Sequence, residues 1–286
     1  MLRVMSVRSA GVVLVLACLF APVSFGSLTD TFDPPNPNVT PMHYGNLVGL
    51  DVLPGGPTGQ FLRMTHDGVN STSNGYAYHM TDPGLYSTIN AGFDFRITST
   101  DRPADGFAFV LLPTGIYGPA GSGAYVPGTA MEAPDYPGVF GVGFDIYPSE
   151  TNLVTAHWDG AQVDAAPVEP AAVDFVAGVF HHVDLSLEFV TDGANLSVDL
   201  TSDVHGASGP TITAFDELFI PGLAPYEYRV EFAARTGGLN ASIDIDNINV
   251  TPTRDQGPPA VPVPGAVLLG TLGAGMVTWL RRRKMV

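Results

Sequence analysis

Asp105 is the residue best placed to do chemistry. It stands in the run Ala104-Asp105-Gly106-Phe107-Ala108-Phe109-Val110-Leu111-Leu112-Pro113. An Asp-Gly pair just ahead of a continuous apolar strand holds a carboxylate at the rim of a β-structure, where it can accept hydrogen bonds from hydroxyl groups. The same pair can equally do no more than cap the turn before the strand. Gly237 and Gly238 follow the run Tyr228-Arg229-Val230-Glu231-Phe232-Ala233-Ala234-Arg235-Thr236. Lacking a Cβ, they let backbone amides come close to a ligand oxygen, or they simply form a tight turn. The stretch Gly118-Pro119-Ala120-Gly121-Ser122-Gly123-Ala124-Tyr125 offers the Gly123 backbone and a Tyr125 ring for stacking, against the alternative of a plain flexible loop. Trp158, beside Asp159-Gly160, has the same two readings, a stacking platform or a partly buried indole.

Strands must position these residues. Apolar or alternating runs bounded by turn residues recur at Gly92 to Ile97, Gly106 to Leu112, Val139 to Tyr147, His182 to Val190, Asn195 to Leu200, Tyr228 to Ala233 and Ser242 to Val250. Asp192-Gly193 predicts a hairpin between two alternating strands, and therefore antiparallel pairing. In the first of them Val183, Leu185, Leu187 and Phe189 share one face while Asp184, Ser186 and Glu188 share the other, the pattern of a sheet with one buried and one wet face. The same alternation in Ser242 to Val250 predicts that Asp244 and Asp246 face solvent. Two such sheets packed face to face give an all-β, two-sheet antiparallel β-sandwich spanning residues 27–251 as one domain.

The ends of the chain read differently. Arg3 and Arg8, the apolar run from Gly11 to Phe20, and small residues at Ser24-Phe25-Gly26 predict an export signal peptide over residues 1–26. The sole cysteine, Cys18, falls inside it, so the exported domain has no disulfide to rely on. Residues 252–264 are proline-rich and read as an extended linker. Residues 265–286 form a Gly-rich apolar stretch ending in Arg281-Arg282-Arg283-Lys284. The run from Val261 to Leu280 is long enough to reach across a bilayer as a helix, with the basic cluster on the cytoplasmic side. Between signal and basic tail, Ser27 to Leu280 holds six arginines, no lysine and all 28 acidic residues. Such a surface repels nucleic acid and anionic lipid and is compatible with calcium capture.

Two family resemblances sharpen these readings. The Ala104-Asp105-Gly106 run, the segment Val139-Phe140-Gly141-Val142-Gly143-Phe144-Asp145-Ile146-Tyr147-Pro148, and the Thr236-Gly237-Gly238 loop resemble, in order, three motifs of the legume-type lectins. The resemblance implies a concanavalin A-like sandwich of jelly-roll type that binds carbohydrate, such as an exopolysaccharide glycan, with Asp105 as the sugar-binding aspartate. It further implies a calcium site in which Asp145 is a ligand, Tyr147 offers its backbone carbonyl, and Asn152 or Glu150 completes the oxygen shell. Gly143 stands where that family has a glutamate bridging to a transition metal, so a second metal is not expected and His157 reads as a strand residue. The same architecture hosts laminarinase-like glycoside hydrolases, but Gly143 and Pro148 lie near the positions their paired carboxylates need, and the chain is read as non-enzymatic. The tail, with Pro262-Val263-Pro264-Gly265, a transmembrane stretch and an arginine cluster, resembles the PEP-CTERM bacterial sorting signals. That implies transient anchoring through the C-terminal helix, processing by an exosortase-type enzyme and release to the envelope, surface or matrix.

Overall fold

The computed structural model describes residues 26–34, 39–45, 49–124, 131–148, 152–206 and 209–254. The expected export signal up to residue 25 and the sorting tail lie outside the described residues, as do Tyr125 and Glu150. Among the described residues no helix is long and apolar enough to cross a membrane.

The strands are β1 (Leu28–Asp30), β2 (Val39–Gly45), β3 (Asp51–Pro54), β4 (Gln60–Thr65), β5 (Thr72–Tyr78), β6 (Thr88–Thr98), β7 (Gly106–Pro113), β8 (Phe140–Asp145), β9 (Asn152–Trp158), β10 (Ala161–Val168), β11 (His181–Val190), β12 (Gly193–Thr201), β13 (Thr211–Pro221), β14 (Tyr228–Thr236) and β15 (Ser242–Thr253); one short helix, α1 (Thr114–Tyr117), follows β7. They build two antiparallel sheets. One has the order β13-β12-β11-β6-β15-β4-β3, with β1 also on β15, and the other runs β10-β9-β8-β7-β14-β5-β2. On β15 the same edge is shared end to end: Ile243 to Ile245 pair with β4, and Ile248 to Val250 pair with β1. The expected hairpin joins β11 to β12, with Asp192 at φ 69° in the turn.

Phenylalanine holds the two sheets together. Phe93 and Phe95 of β6 meet Phe107 and Phe109 of β7, Phe144 of β8 and Phe232 of β14 from the opposite sheet, with ring centroids 5.0 Å apart for Phe93–Phe232 and 5.2 Å for Phe95–Phe107. Phe107 and Phe144 stack at 4.7 Å on adjacent strands. The seven-stranded sheet is also covered on its outer face. Residues between β7 and β8 fold back over it, so that Ala124, Tyr136 and Val139 pack on Ala108, Val110 and Leu112, and Met131 packs on Ala233. This explains why β7 is buried along its whole length rather than alternating.

The expectation that the acids of the last strand face solvent is overturned, for Asp244 and Asp246 are fully buried. Alternation holds only from Ile248 onward, after a register break between Asp246 and Asn249. In the first half, arginines cover the outward face. Arg63 grips Asp244 with bonds of 2.7 and 2.9 Å, Arg96 with 2.9 and 2.7 Å, and the Arg96 guanidinium lies over Phe180 at 4.5 Å and Phe61 at 4.8 Å. The strand also runs beyond the expected domain end at residue 251. Pro252 and Thr253 pair with β6, and Arg254 reaches Asp82 at 3.2 Å and lies over Tyr86 at 4.8 Å.

Two further buried charges pin the returning segment. Arg229 donates to the carbonyls of Gly118 at 3.1 Å, Gly121 at 2.9 Å and Ser122 at 2.5 Å, capping the Gly-rich turn. Glu231 accepts the Ala124 amide at 3.0 Å, but its Oε1 has no hydrogen-bond partner among the described residues. Burial pushes its carboxyl up to about 8.

Two consequences can be measured. Removing one partner of a buried ion pair strands the other, so Asp244→Ala should cost about 3 kcal/mol in chemical denaturation, and a loss below about 1 kcal/mol would contradict the assignment. For Glu231 the folded chain holds its proton more tightly than the unfolded chain. That contribution is therefore complete below the ordinary carboxylate range and is lost as pH climbs towards about 8. Glu132 and Asp246, raised by burial to about 7 and about 6, act the same way at lower pH. Melting profiles should thus decline with rising pH, and Glu231→Gln should flatten the part above pH 7.

Candidate functional site

The site is assembled from the ends of three neighbouring strands. Across the seven-stranded sheet Asp145 of β8, Gly106 of β7 and Arg235 of β14 stand in one row of the ladder. Asp105 precedes that row. Its amide donates to the Arg235 carbonyl at 3.1 Å, and its carbonyl accepts the Ile146 amide at 2.9 Å, so its backbone is tied to both neighbouring strands. Glycine is required at 106, where φ is 153° and a Cβ would run into the Phe144 carbonyl. The Ala104–Asp105 and Tyr147–Pro148 peptide bonds are both cis.

These strand ends enclose a pocket of about 320 Å³ lined by Asp105, Glu132, Asp145, Tyr147, Arg235 and the Gly237-Gly238-Leu239 turn. Five residues singled out from sequence therefore converge: Asp105, Asp145, Tyr147, Gly237 and Gly238. The Asp105 side chain lies against Gly237, where a Cβ would stand 2.9 Å from Oδ2. Tyr147 keeps half of its surface exposed at the mouth. Gly123 stands elsewhere, packed so closely on the Glu231 carboxyl that a Cβ there would collide with it. Asn152 is buried outside the pocket lining and donates its amide to the Val173 carbonyl at 2.9 Å.

Two charged residues of the pocket went unrecognised in the sequence, Glu132 and Arg235. Glu132 arrives from the segment that folds back over the sheet. Its Oε1 accepts from Arg235 Nη1 at 3.1 Å, while Arg235 Nε lies 3.6 Å from Asp105 Oδ2. One guanidinium thus faces two carboxylates. Asp105 Oδ2 and Glu132 Oε2 are both buried without a hydrogen-bond partner among the described residues. Burial, reinforced by the charges of Asp105 and Asp145, pushes Glu132 up to about 7. Asp105 is raised by burial against the pull of Arg235, and Asp145 by burial and by the charge of Asp105.

The surroundings of Gly143 bear on metal binding. A Cβ there would strike the Glu132 carbonyl and the Thr155 hydroxyl, so the segment that delivers Glu132 occupies the space a longer side chain would need. His157, in β9, is fully buried with Nδ1 on Asp135 at 2.7 Å and Nε2 on Thr155 at 2.8 Å. Among the described residues no group of three or more His, Cys, Asp or Glu side chains is arranged to hold a metal ion. Trp158 is partly buried and stacks on Tyr226 at 6.1 Å.

No protein-family model and no curated protein sequence matches the chain. Solved structures do. Peanut lectin, crystallised with a nine-residue peptide, superposes with a TM-score of 0.57 at 18% identity, covering 80% of this chain and 97% of the lectin. Lectin II from Ulex europaeus gives 0.54 at 18% identity, covering 79% and 98%. The exoplasmic/lumenal domain of VIP36, in its Ca2+/Man3GlcNAc-bound form, gives 0.53 at 17% identity, covering 82% and 93%. At such identities the likeness establishes architecture, and the domain has the two-sheet sandwich fold of the legume lectins and the VIP36 lumenal domain.

Proposed function

We propose that this chain is a carbohydrate-binding protein whose site is the pocket around Asp105. The observation that carries the reading is the convergence, at one end of the sandwich, of a nearly buried carboxylate, the turn at Gly237-Gly238 and a half-exposed tyrosine ring. Sugars need these elements together: acceptors for hydroxyl groups, close backbone, and a flat apolar surface for the ring face. In this reading Asp105 is the acceptor, Tyr147 the platform, and Gly237 and Gly238 bring the backbone near. The ligand is a glycan or exopolysaccharide, and the role is binding rather than catalysis. The fold alone would not carry this, since one architecture serves many functions.

Calcium belongs to the proposal as a structural ion beside that pocket. Asp145 is a partly buried carboxylate that accepts from the amides that follow it, the Tyr147 amide at 2.9 Å among them, and no cationic side chain among the described residues pairs with it. A partly buried carboxylate without a cationic partner fits a hard cation that takes oxygen ligands. Asp145, the Tyr147 carbonyl and the Asn152 amide oxygen would hold it, and the bound ion would neutralise charge at the pocket wall. The crowded Gly143 and the engaged His157 do not fit a transition metal beside it.

The proposed setting is the cell exterior: export through the N-terminal signal, transient anchoring by the C-terminal helix, and processing by an exosortase-type enzyme. Two results test the binding reading. Asp105→Asn should abolish retention on a glycan array while leaving the melting temperature within a few degrees, and unaltered retention would remove Asp105 from the site. Chelation should lower the melting temperature by a few degrees, as expected for loss of a bound ion, and an unchanged melt would remove calcium. Silence of a folded chain across the array would favour a matrix scaffold instead.

A further inference from the structure

The charges lining the pocket constrain which saccharides fit it. Setting Asp145 aside for a cation, two carboxylates face the cavity, Asp105 from the entry of β7 and Glu132 from the segment between β7 and β8, and a single cation, Arg235 of β14, answers them. Among the described residues no lysine, histidine or second arginine lines the pocket. Asp105 is 8% exposed and Glu132 6%. Arg235 meets Glu132 through Oε1 at 3.1 Å and its Nε stays 3.6 Å from Asp105, which leaves Oδ2 of Asp105 and Oε2 of Glu132 without a donor among the described residues. Carboxylate oxygens nine-tenths removed from water and lacking a donor are costly, and a ligand that brings donors relieves that cost.

A sugar hydroxyl supplies a neutral donor. A protonated amine supplies charge-assisted donors, roughly twice as strong, and favours the ionised form of Glu132, whose carboxyl burial raises to about 7. A uronate brings a third carboxylate into the same space, the unpaired-charge penalty by which binding sites reject a close analogue. The acidic character of the whole domain acts in the same direction, concentrating cations and repelling anions. From this balance we infer that the pocket selects saccharides bearing a free ammonium group over their neutral counterparts and excludes uronic acids. This deepens the glycan-binding reading above and rests on it.

Titration of the full-length chain tests the inference at pH 7 and low salt. The probes are glucosamine, galactosamine and mannosamine, each against its parent hexose and the matching uronic acid. In the series the site accepts, the amino sugar should bind at least fivefold more tightly than the hexose, and the uronate should not bind measurably. That ratio should shrink in 0.5 M salt, which screens charge without altering the fold. It should also fall towards one in Glu132→Gln, which keeps the side-chain shape and removes the charge. Equal binding of amino sugar and hexose, or binding of the uronate, overturns the charge selection while leaving the glycan reading intact. A ratio indifferent to both salt and Glu132→Gln overturns it as well. Failure of every saccharide to bind the folded chain overturns the glycan reading and this inference together.

Discussion

The seam of phenylalanine rings between the sheets is the constraint on which the rest depends. Phe93 and Phe95 belong to one sheet, and their partners Phe107, Phe109, Phe144 and Phe232 belong to the three adjacent strands β7, β8 and β14 of the other. Close-packed aromatic contacts leave little freedom in the offset of one sheet against the other. Each pocket residue supplied by a strand lies within a few positions of one of these rings: Asp105 two before Phe107, Asp145 one after Phe144, and Arg235 three after Phe232. The geometry of the rim is therefore inherited from the core. With no cysteine beyond residue 18, packing and buried polar contacts must do what disulfides do in many exported domains.

A second layer of order comes from polar side chains set beneath the returning segment. Arg229 and Glu231, both buried, and the partly exposed Arg235 lie along β14 on the face away from the aromatic seam. Arg229 organises the carbonyls of the Gly-rich turn, Glu231 takes the Ala124 amide, and Arg235 meets Glu132. The three contacts fall at successive points of the returning chain, so one strand guides the path of a long connection. Gly123, Gly141 and Gly143 make that close approach possible. At 141 a Cβ would lie 2.5 Å from Pro134, and at 123 and 143 it would overlap Glu231 and the Glu132 carbonyl. Glycines that looked suited to a ligand or to a strand interior serve here to admit the chain's own groups, the Glu231 carboxyl, the Pro134 ring and the Glu132 carbonyl.

What could be read from the sequence follows this division. Local pattern was enough for the sandwich and for β11, where Val183, Leu185 and Leu187 are buried and Asp184 and Glu188 exposed, and for the turn at Asp192-Gly193. The resemblance to the legume-type lectins, carried by motifs at strand ends, named Asp105, Asp145, Tyr147, Gly237 and Gly238, and these five line one pocket. Edge strands escaped it: β10 is mostly exposed polar residues and alanine, and β13 is interrupted at Glu217, where φ is 52°. Asp244 and Asp246 escaped for a different reason. Their alternation is real, but contacts far away in sequence turn an outward face into a buried one: Arg63 and Arg96 close over Asp244, and the segment at Gly56 packs against Asp246. Glu132 lies in irregular chain with no periodicity, and its partner Arg235 is 103 residues away, a separation no spacing rule spans.

The same long-range pairing sets the chemistry of the site apart from its architecture. The fold supplies a rim with an aspartate, a glycine turn and an aromatic ring, an arrangement suited to a neutral polyol. Into this rim the chain inserts a glutamate and an arginine that interact with each other and with the aspartate. Because the guanidinium bonds Oε1 of Glu132 and stays 3.6 Å from Asp105, it steers both carboxylates without satisfying either. A carboxylate left short of donors in a nearly dry wall is poised for whatever donor a ligand brings. The residual negative charge, rather than the shared sandwich, is therefore the property by which this pocket would tell one saccharide from another.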